Sequence, residues 1–174
     1  MFTPKPNMST ILYAKEVPEA GGDTLFANMY AAYDALSDTM KSMLSGLKVL
    51  CVGDRPGKSS RKERYKALKG VKMNDEEIGV RSSEHPLIRT HPETGRKSLF
   101  IGAHVENIVG MTKEESDPIL NFLRAHAIKP EFTCRFQWDD GSLAMWDNRC
   151  TQHNAIDDYA GHRRRMHRIT VRSE

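Results

Sequence analysis

The sequence predicts a mainly β protein, a barrel or jelly roll, with two or three helices at its periphery. The first observation is an alternation in which single polar residues separate four apolar or aromatic ones, Phe132, Cys134, Phe136 and Trp138. Successive side chains of a strand point to opposite faces, so this pattern is typical of a half-buried strand. The second observation is that tight turns separate many short extended runs, which favours closed or layered β architectures.

The chain opens with two predicted strands and a turn. Residues 11–15 have the composition of a short strand, and residues 24–27 resume an extended chain after a turn at residues 18–23. Gly21 and Gly22 lie in this turn, where glycine permits positive φ without steric cost.

A helical region in two parts is predicted at residues 28–46. Apolar side chains recur at helical spacing in both parts. Ser37 is a suitable N-cap for the second helix, and Gly46 is expected to end it.

Residues 53–73 differ in composition from the rest of the chain. They are rich in Gly, Ser, Lys and Arg and show no apolar period, so a mobile or solvated loop is expected. Long loops of this kind are often lids over active sites. A surface insertion without a functional role explains the composition equally well.

Strands and one helical segment are predicted in the second half. Two strands at residues 85–90 and 97–101 flank a turn at residues 91–96. A capping box formed by Thr112 and Glu115 predicts the start of a helix.

Asp117 and Pro118 offer a second start for this helix, which ends near Ala127. A hairpin turn at residues 139–141 and a strand at residues 143–146 follow the alternating strand.

The composition is that of an ordinary soluble globular protein. The chain has 174 residues, of which 39% are hydrophobic and 28% charged, enough for a single domain with a real core, without repeat or linker. No apolar run approaches the ~20 residues of a membrane span, and the first residues lack the apolar core of a signal peptide. We therefore expect a cytoplasmic protein with no membrane partner.

Cysteine and charge usage argue against three further classes of protein. The three cysteines, Cys51, Cys134 and Cys150, are too few and too scattered for a disulfide framework or a zinc cluster. The net charge of +3 is mild, and much of the excess lies at residues 55–72. A nucleic-acid protein would show a larger basic surface and a recognisable reading module, so no nucleic-acid partner is expected.

The last thirty residues carry the strongest functional signal. His153 lies on one predicted short strand, and a basic strand follows at residues 163–171. In that strand Arg164 and Arg168 share a face, roughly 13 Å apart at about 3.3 Å per residue. This separation suits two different anions, or two ends of a composite site, better than one.

Arginine and histidine are residue types that bind anions and metal ions. Arginine recognises carboxylates and sulfonates through paired N–H donors, and a neutral histidine ring can ligate a metal. Taken alone, however, an arginine cluster is more often a solvated face, and a single histidine is more often structural.

The motif Trp-Asp-Asn-Arg-x-Thr-x-His at residues 146–153 makes the interpretation specific. Together with the two arginines that follow, and with residues 21–26, 89–92 and 131–132 upstream, it resembles the signature of the taurine/2,4-dichlorophenoxyacetate dioxygenase family. These are Fe(II)- and 2-oxoglutarate-dependent oxygenases. The resemblance covers nearly the whole chain and implies the double-stranded β-helix, a jelly roll. It also favours a lid at residues 53–73.

The resemblance implies a role for four residues. Thr24 and Arg164 match the positions that bind 2-oxoglutarate, Arg168 matches the position that pairs with the anionic group of the substrate, and His153 matches the distal iron ligand. The implied reaction uses O2 to hydroxylate a small anionic substrate such as taurine or another sulfonate. Asp147 and Asn148 are expected to brace their loop.

The other half of the family's iron site is absent from the sequence. In the family a His-x-Asp pair lies a few residues before the segment that residues 2–6 resemble, so the chain corresponds to the C-terminal two-thirds of a dioxygenase domain, incomplete at its N-terminus. His91 and Glu93 could be mistaken for that pair, but a proline between ligands in a tight turn would aim them poorly.

Three explanations stay open for the missing pair. The native protein is longer, a shortened homologue has lost catalysis, or a partner chain completes the site. As given, the chain is expected to be inactive alone. The alternative function is an inactive homologue that binds small anions or a protein partner, and a homo-oligomer also stays open.

Overall fold

The computed structural model describes residues 1–53 and 81–172. The lid predicted at residues 53–73 therefore lies outside the described residues, except for Gly53 at its start. The described strands are β1 (Ser9–Glu16), β2 (Thr24–Asn28), β3 (Lys48–Gly53), β4 (Arg81–Pro86), β5 (Ile88–Thr90), β6 (Lys97–Leu99), β7 (Val105–Ile108), β8 (Thr133–Phe136), β9 (Leu143–Asp147), β10 (Thr151–Ala155) and β11 (Arg165–Val171). The described helices are α1 (Met29–Asp34), α2 (Asp38–Leu44) and α3 (Lys113–Ala127).

The strands form four antiparallel sheets. Sheet A has the order β11-β1-β9 and sheet B has the order β10-β2-β8. A third sheet has the order β4-β3-β7, and the fourth consists of β5 and β6. Within the described residues, β10 pairs only with β2 and β11 pairs only with β1. One edge of each of these two strands is therefore unpaired in the part of the chain that the structure describes.

Sheets A and B pack face to face. The Trp146 ring of sheet A lies 5.1 Å from the Phe26 ring and 4.8 Å from the His153 ring of sheet B, measured between centroids. Two antiparallel sheets packed in this way, with helices at the periphery, are the architecture of a jelly roll. The predicted fold class is confirmed.

The main hydrophobic core lies beside this pair of sheets. Its buried residues all fall between Ala27 and Ala127, and they come from the end of β2, the three helices, the sheets β4-β3-β7 and β5-β6, and the loops beside them. The most deeply buried large side chains among them are Met29, Leu44, Leu87, Leu99, Ile101, Ile108, Leu120 and Leu123.

The helices begin where the sequence predicts. The side chain of Asn28 caps α1, and the Ser37 side chain accepts from the Met40 N–H at the start of α2. Thr112 and Glu115 form the capping box of α3. Because α3 runs unbroken through Pro118, the second start predicted there is not used.

Two strand predictions need correction. The strand predicted at residues 85–90 is divided at Leu87 between β4 and β5, which belong to different sheets. Leu87 is fully buried at this break, and its N–H donates to the Leu47 carbonyl. The alternating strand is also shorter than predicted, because a 3-10 turn occupies Pro130–Phe132. No helix among the described residues is long and apolar enough to cross a membrane.

Candidate active site

Thr24 lies at the first position of β2, on the face that sheet B turns towards sheet A. It is only 2% exposed, and its hydroxyl oxygen accepts a hydrogen bond of 3.0 Å from the Trp138 indole N–H. Since this bond uses the oxygen as acceptor, the hydroxyl proton is left to donate to another group.

His153 lies on the same face as Thr24. In the register of sheet B, Thr24 is opposite Ala155 and His153 is opposite Phe26, and residues two apart in a strand share a face. His153 is exposed as a residue, but its ring lies against Trp146.

The environment of the ring favours its neutral form. Partial burial of the ring, together with the positive charge of Arg168, lowers the pKa of His153. The neutral imidazole is the form that ligates metals.

Arg164 precedes β11 and is held against the turn that leads into β2. Its Nε donates to the Gly22 carbonyl at 3.1 Å, and its guanidinium lies 5.7 Å from the centroid of the Tyr159 ring. Its Nη2 is buried and has no hydrogen-bond partner in the described part of the chain. An unsatisfied buried donor of a charged group is costly, so this atom marks a position where an anion would be stabilised.

Arg168 is on the face of sheet A that meets sheet B. It lies opposite Leu12 in the β1–β11 register, two positions from the pair between Ala14 and Met166. Ala14 is fully buried on this face. Arg168 is itself exposed, and its charge reaches His153. Arg168 and His153 therefore line the same space between the two sheets.

The loop between β9 and β10 is held by its own polar residues. Asn148 accepts from the Trp146 indole N–H at 3.0 Å and donates to the Thr10 hydroxyl at 3.0 Å. Asp147 accepts from the Nε and Nη2 of Arg149 and from the Arg149 backbone N–H. These contacts brace the loop that leads to His153.

His91 and Glu93 belong to this brace. The Nδ1 of His91 accepts the N–H groups of Glu93 and Thr94, so its Nε2 carries the proton and donates to Asp147 at 3.1 Å. Glu93 pairs with Arg149 at 2.9 Å. Neither side chain is directed at His153, which agrees with their exclusion as iron ligands.

Three further side chains lie close enough together to hold a metal ion, but their contacts argue against a metal site. One ligand atom each of His91, Asp147 and Cys150 lies within 4.8 Å of the others. Hydrogen bonds from Arg149 already occupy the carboxylate, and a guanidinium beside it would repel a cation. No group of three possible ligand side chains within the described residues includes His153.

The sequence did not predict the contacts around Arg164 and Thr24. The alternating pattern predicts Trp138 only as a strand residue, and no pattern in the sequence indicates a role for Asp158 or Tyr159. The available signal was the pair Gly21 and Gly22, since adjacent glycines with φ of +85° and +73° often allow close approach of another group.

Comparison with known proteins decides between the classes of protein that this geometry allows. Residues 1–170 match the family described as taurine catabolism dioxygenase TauD, TfdA family. The chain belongs to this family. The dioxygenase resemblance predicted from the sequence is confirmed.

Three members of the family illustrate the relationship. An alkylsulfatase of Acinetobacter baylyi is 35% identical over 169 residues, which are 95% of this chain and 52% of that protein. An alpha-ketoglutarate-dependent 2,4-dichlorophenoxyacetate dioxygenase of Cupriavidus pinatubonensis is 36% identical over 168 residues, 93% of this chain and 54% of that protein. The crystal structure of a taurine dioxygenase from Burkholderia xenovorans superposes with a TM-score of 0.82 at 34% identity, over 99% of this chain and 55% of the other.

The match covers the relatives only in part. The chain spans about half the length of these relatives, 52% and 54%. The family is therefore shown, whereas the activity, cosubstrate and substrate of the whole relatives pass to this chain only as a proposal.

Proposed function

We propose that this chain forms the 2-oxoglutarate- and substrate-binding part of an Fe(II)- and 2-oxoglutarate-dependent dioxygenase that hydroxylates a small anionic substrate such as taurine or another sulfonate. The observation that carries the proposal is the buried Nη2 of Arg164, a charged donor without a protein partner in the described residues. A carboxylate of 2-oxoglutarate would satisfy it through a charge-assisted hydrogen bond.

Thr24 supports the same assignment. Its hydroxyl accepts from Trp138, and its proton is therefore available to a second carboxylate oxygen. Arg164 contacts the Gly22 carbonyl, two residues before Thr24, so both residues lie near the start of β2. A half-buried cation with a buried donor atom and a hydroxyl donor nearby suit a carboxylate.

Arg168 is proposed to hold the anionic group of the substrate. Its guanidinium faces the space between the sheets from β11, near enough to His153 for its charge to lower the pKa of that histidine. A sulfonate, a sulfate ester or a carboxylate could pair with it. When bound beside the substrate, iron and 2-oxoglutarate supply the oxidising chemistry, and these arginines determine which anions are held there.

The described residues fit 2-oxoglutarate better than they fit iron. His153 supplies one ligand, whereas a specific Fe(II) site of this chemistry takes two histidines and one carboxylate. A His-x-carboxylate pair places both ligands on one face of a strand. The open edge of β10 is where such a strand could bring them to His153.

The second candidate is a homologue that binds small anions without catalysis. It is favoured because no group of three possible ligand side chains within the described residues includes His153, whereas Arg164 and Arg168 could hold small dicarboxylates without a metal. The two candidates differ in turnover, not in anion binding.

Calorimetric titration of the purified chain with 2-oxoglutarate tests the shared part of both candidates. Arg164→Met should weaken binding by roughly 10- to 100-fold, as expected for loss of a hydrogen bond to a charged group. Arg163→Met is the matched control, because the Arg163 side chain is 71% exposed and pairs with Glu16. Equal weakening by both changes, or no binding by the unmodified chain, would contradict the assignment.

Turnover separates the candidates. The chain is incubated with Fe(II), 2-oxoglutarate, O2 and taurine or another sulfonate, and succinate is measured. Succinate that depends on iron supports the dioxygenase. Binding of 2-oxoglutarate without succinate supports the anion-binding homologue and requires the missing ligands to come from elsewhere.

A further inference from the structure

We infer that Asp158, on the loop between β10 and β11, is a positioning residue for Arg164 and acts through the turn formed by Gly21 and Gly22. The inference rests on the proposed function in one respect, since it concerns the arginine assigned to 2-oxoglutarate. Its structural part concerns only contacts within this chain and can be tested without any ligand.

Asp158 holds the backbone of the glycine turn directly. Its Oδ1 accepts the Gly22 N–H at 2.6 Å, and a Cβ on Gly21 would lie 2.8 Å from both the Oδ1 and the carbonyl oxygen of Asp158. Only a residue without a side chain permits this approach. The loop and the turn are therefore packed against each other at backbone distance.

The same turn holds Arg164 from its other side. While the Gly22 N–H is bound by Asp158, the Gly22 carbonyl accepts from the Arg164 Nε at 3.1 Å. A Cβ on Gly22 would lie 3.0 Å from the Cδ and Nε of Arg164. Gly22 thus connects the carboxylate and the guanidinium through its own two polar groups.

The residue after Asp158 completes the arrangement. The Tyr159 ring lies 5.7 Å from the Arg164 guanidinium, within reach of a cation–π contact. With Nε fixed on Gly22 and an aromatic ring alongside, the guanidinium is restrained in orientation. Nη2 is the atom left without a protein partner in the described part of the chain.

A second set of contacts anchors the loop itself. The Ile156 N–H donates to the Asp23 carbonyl at 2.9 Å, and the Asp23 carboxylate accepts from Arg135 at 2.6 Å. The Arg135 Nη2 lies 3.7 Å from the second carboxylate oxygen of Asp158. Both partners of that pair are exposed, and exposed ion pairs contribute little. The hydrogen bond that Asp158 accepts from the Gly22 N–H is therefore the contact through which Asp158 positions Arg164.

Without the Asp158 acceptor, the turn would lose its main restraint. Gly21 and Gly22 both have positive φ, and glycine populates several backbone regions at similar cost. The Gly22 carbonyl would then no longer be held in place for Arg164, and the guanidinium would sample other orientations.

The first measurement is solvent exchange of the Arg164 Nε–H proton by NMR, in the chain without ligand. The resonance is assigned by its loss in Arg164→Lys. Asp158→Ala should speed the exchange at least about tenfold, the factor expected for loss of one restraining hydrogen bond. Asp158→Asn should preserve slow exchange, because its amide oxygen can still accept the Gly22 N–H. The control is Asp157→Ala at the exposed neighbouring carboxylate, which should change nothing.

The second measurement is 2-oxoglutarate affinity of the same variants. We expect Asp158→Ala to weaken binding several-fold and Asp158→Asn to restore it. Unchanged Nε–H exchange in Asp158→Ala, or equal damage by alanine and asparagine, would overturn the inference. Should the alanine variant lack a native amide spectrum, Asp158→Ser takes its place, since serine keeps a polar loop but is too short to reach Gly22.

The outcomes for the two proposals are distinct. If the unmodified chain binds no 2-oxoglutarate but Asp158→Ala still speeds the Nε–H exchange, the cosubstrate assignment fails and the positioning role stands. If the chain binds 2-oxoglutarate equally well with and without Asp158, the positioning role fails and the assignment stands.

Discussion

The segment from Ala27 to Ala127 and sheets A and B differ in what they bury. The segment supplies all sixteen residues of the main hydrophobic cluster. Sheets A and B supply Thr24, His153 and Arg168 of the proposed site, and Arg164 directly precedes β11. Outside the segment, the buried hydrophobic side chains among the described residues are Ala14 and Trp146 of sheet A and Trp138, which follows β8. The part of the molecule that stabilises the fold is thus largely separate from the part proposed to bind ligands.

The outer face of sheet A exposes apolar residues, unlike the segment from Ala27 to Ala127. Alternate residues of its three strands point away from sheet B, and among them Leu143, Met145 and Ile169 are 62%, 62% and 63% exposed. On the inner face Thr10 and Trp146 are buried. A sheet with exposed apolar residues on its outer face and few buried apolar residues on its inner face contributes less to hydrophobic burial than the segment from Ala27 to Ala127 does.

This difference predicts where a substitution should affect stability and where it should affect ligand binding. Changes in the segment from Ala27 to Ala127 should lower the free energy of unfolding, whereas changes on the sheet faces should affect ligands or solubility. Two predictions test that division, and a third concerns the polar brace around Asp147.

The largest effect is expected from a pair of identical changes, one in each region. Leu120 is fully buried and Leu143 is 62% exposed. Leu120→Ala should lower the free energy of unfolding by about 3 kcal/mol, because it removes buried methyl groups and leaves a cavity. Leu143→Ala should change it by less than about 0.5 kcal/mol. Urea denaturation measures both values.

Similar losses of unfolding free energy in Leu120→Ala and Leu143→Ala would contradict the difference between the two regions. Equal losses would mean that the outer face of sheet A is covered in solution. Repeating the denaturation at several protein concentrations would then reveal whether a second copy covers it, since association makes stability depend on concentration.

Local patterns in the sequence predict the elements well where the pattern and the burial agree. The capping box at Thr112 and the N-cap at Ser37 predict two helix starts that the structure confirms. The continuous strand predicted around Leu87 is wrong, because the chain changes sheets there and no local pattern carries that information. Burial of Leu87 and its hydrogen bond to Leu47 belong to tertiary packing.

The site is also predictable from the sequence only in part. The motif that ends at His153 indicates which residues matter, because it resembles a family signature. The contacts that orient Arg164 join positions far apart in the chain: Asp158 and Gly22 are 136 residues apart, and Trp138 and Thr24 are 114 apart. Spacing and periodicity describe neighbours within one element, so they cannot predict such pairs. The roles of Thr24, His153, Arg164 and Arg168 stay predictions.

A smaller effect is expected at the brace beneath the site. Burial of the Asp147 carboxyl opposes ionisation, but hydrogen bonds from Arg149 and His91 outweigh it and lower its pKa to about 2. Since the pKa is lower in the folded than in the unfolded chain, the stabilisation is present above pH ~4 and is lost as the pH falls towards 2. Its magnitude is about 2 kcal/mol.

Asp147→Asn isolates this contribution. The difference in free energy of unfolding between wild type and variant should shrink by about 2 kcal/mol between pH 5 and pH 2. Leu120→Ala serves as the control, because it alters no titrating group and its difference from wild type should not vary with pH. A pH-independent difference for Asp147→Asn would show that its charge does not stabilise the brace.

The smallest effect is expected on the outer face of sheet A, where Ile169 lies opposite Ile11 of β1. Ile169→Thr keeps a β-branched side chain, which suits a strand, and removes apolar surface that is 63% exposed. The free energy of unfolding should therefore change by less than about 0.5 kcal/mol. The affinity for 2-oxoglutarate should not change, because residue 169 lies on the outer face of β11, opposite to the face on which the site is proposed. Solubility should rise, since a smaller apolar patch favours association less. A loss of affinity without a loss of stability would contradict the division between the two faces, because it would mean that the outer face of β11 controls the inner one.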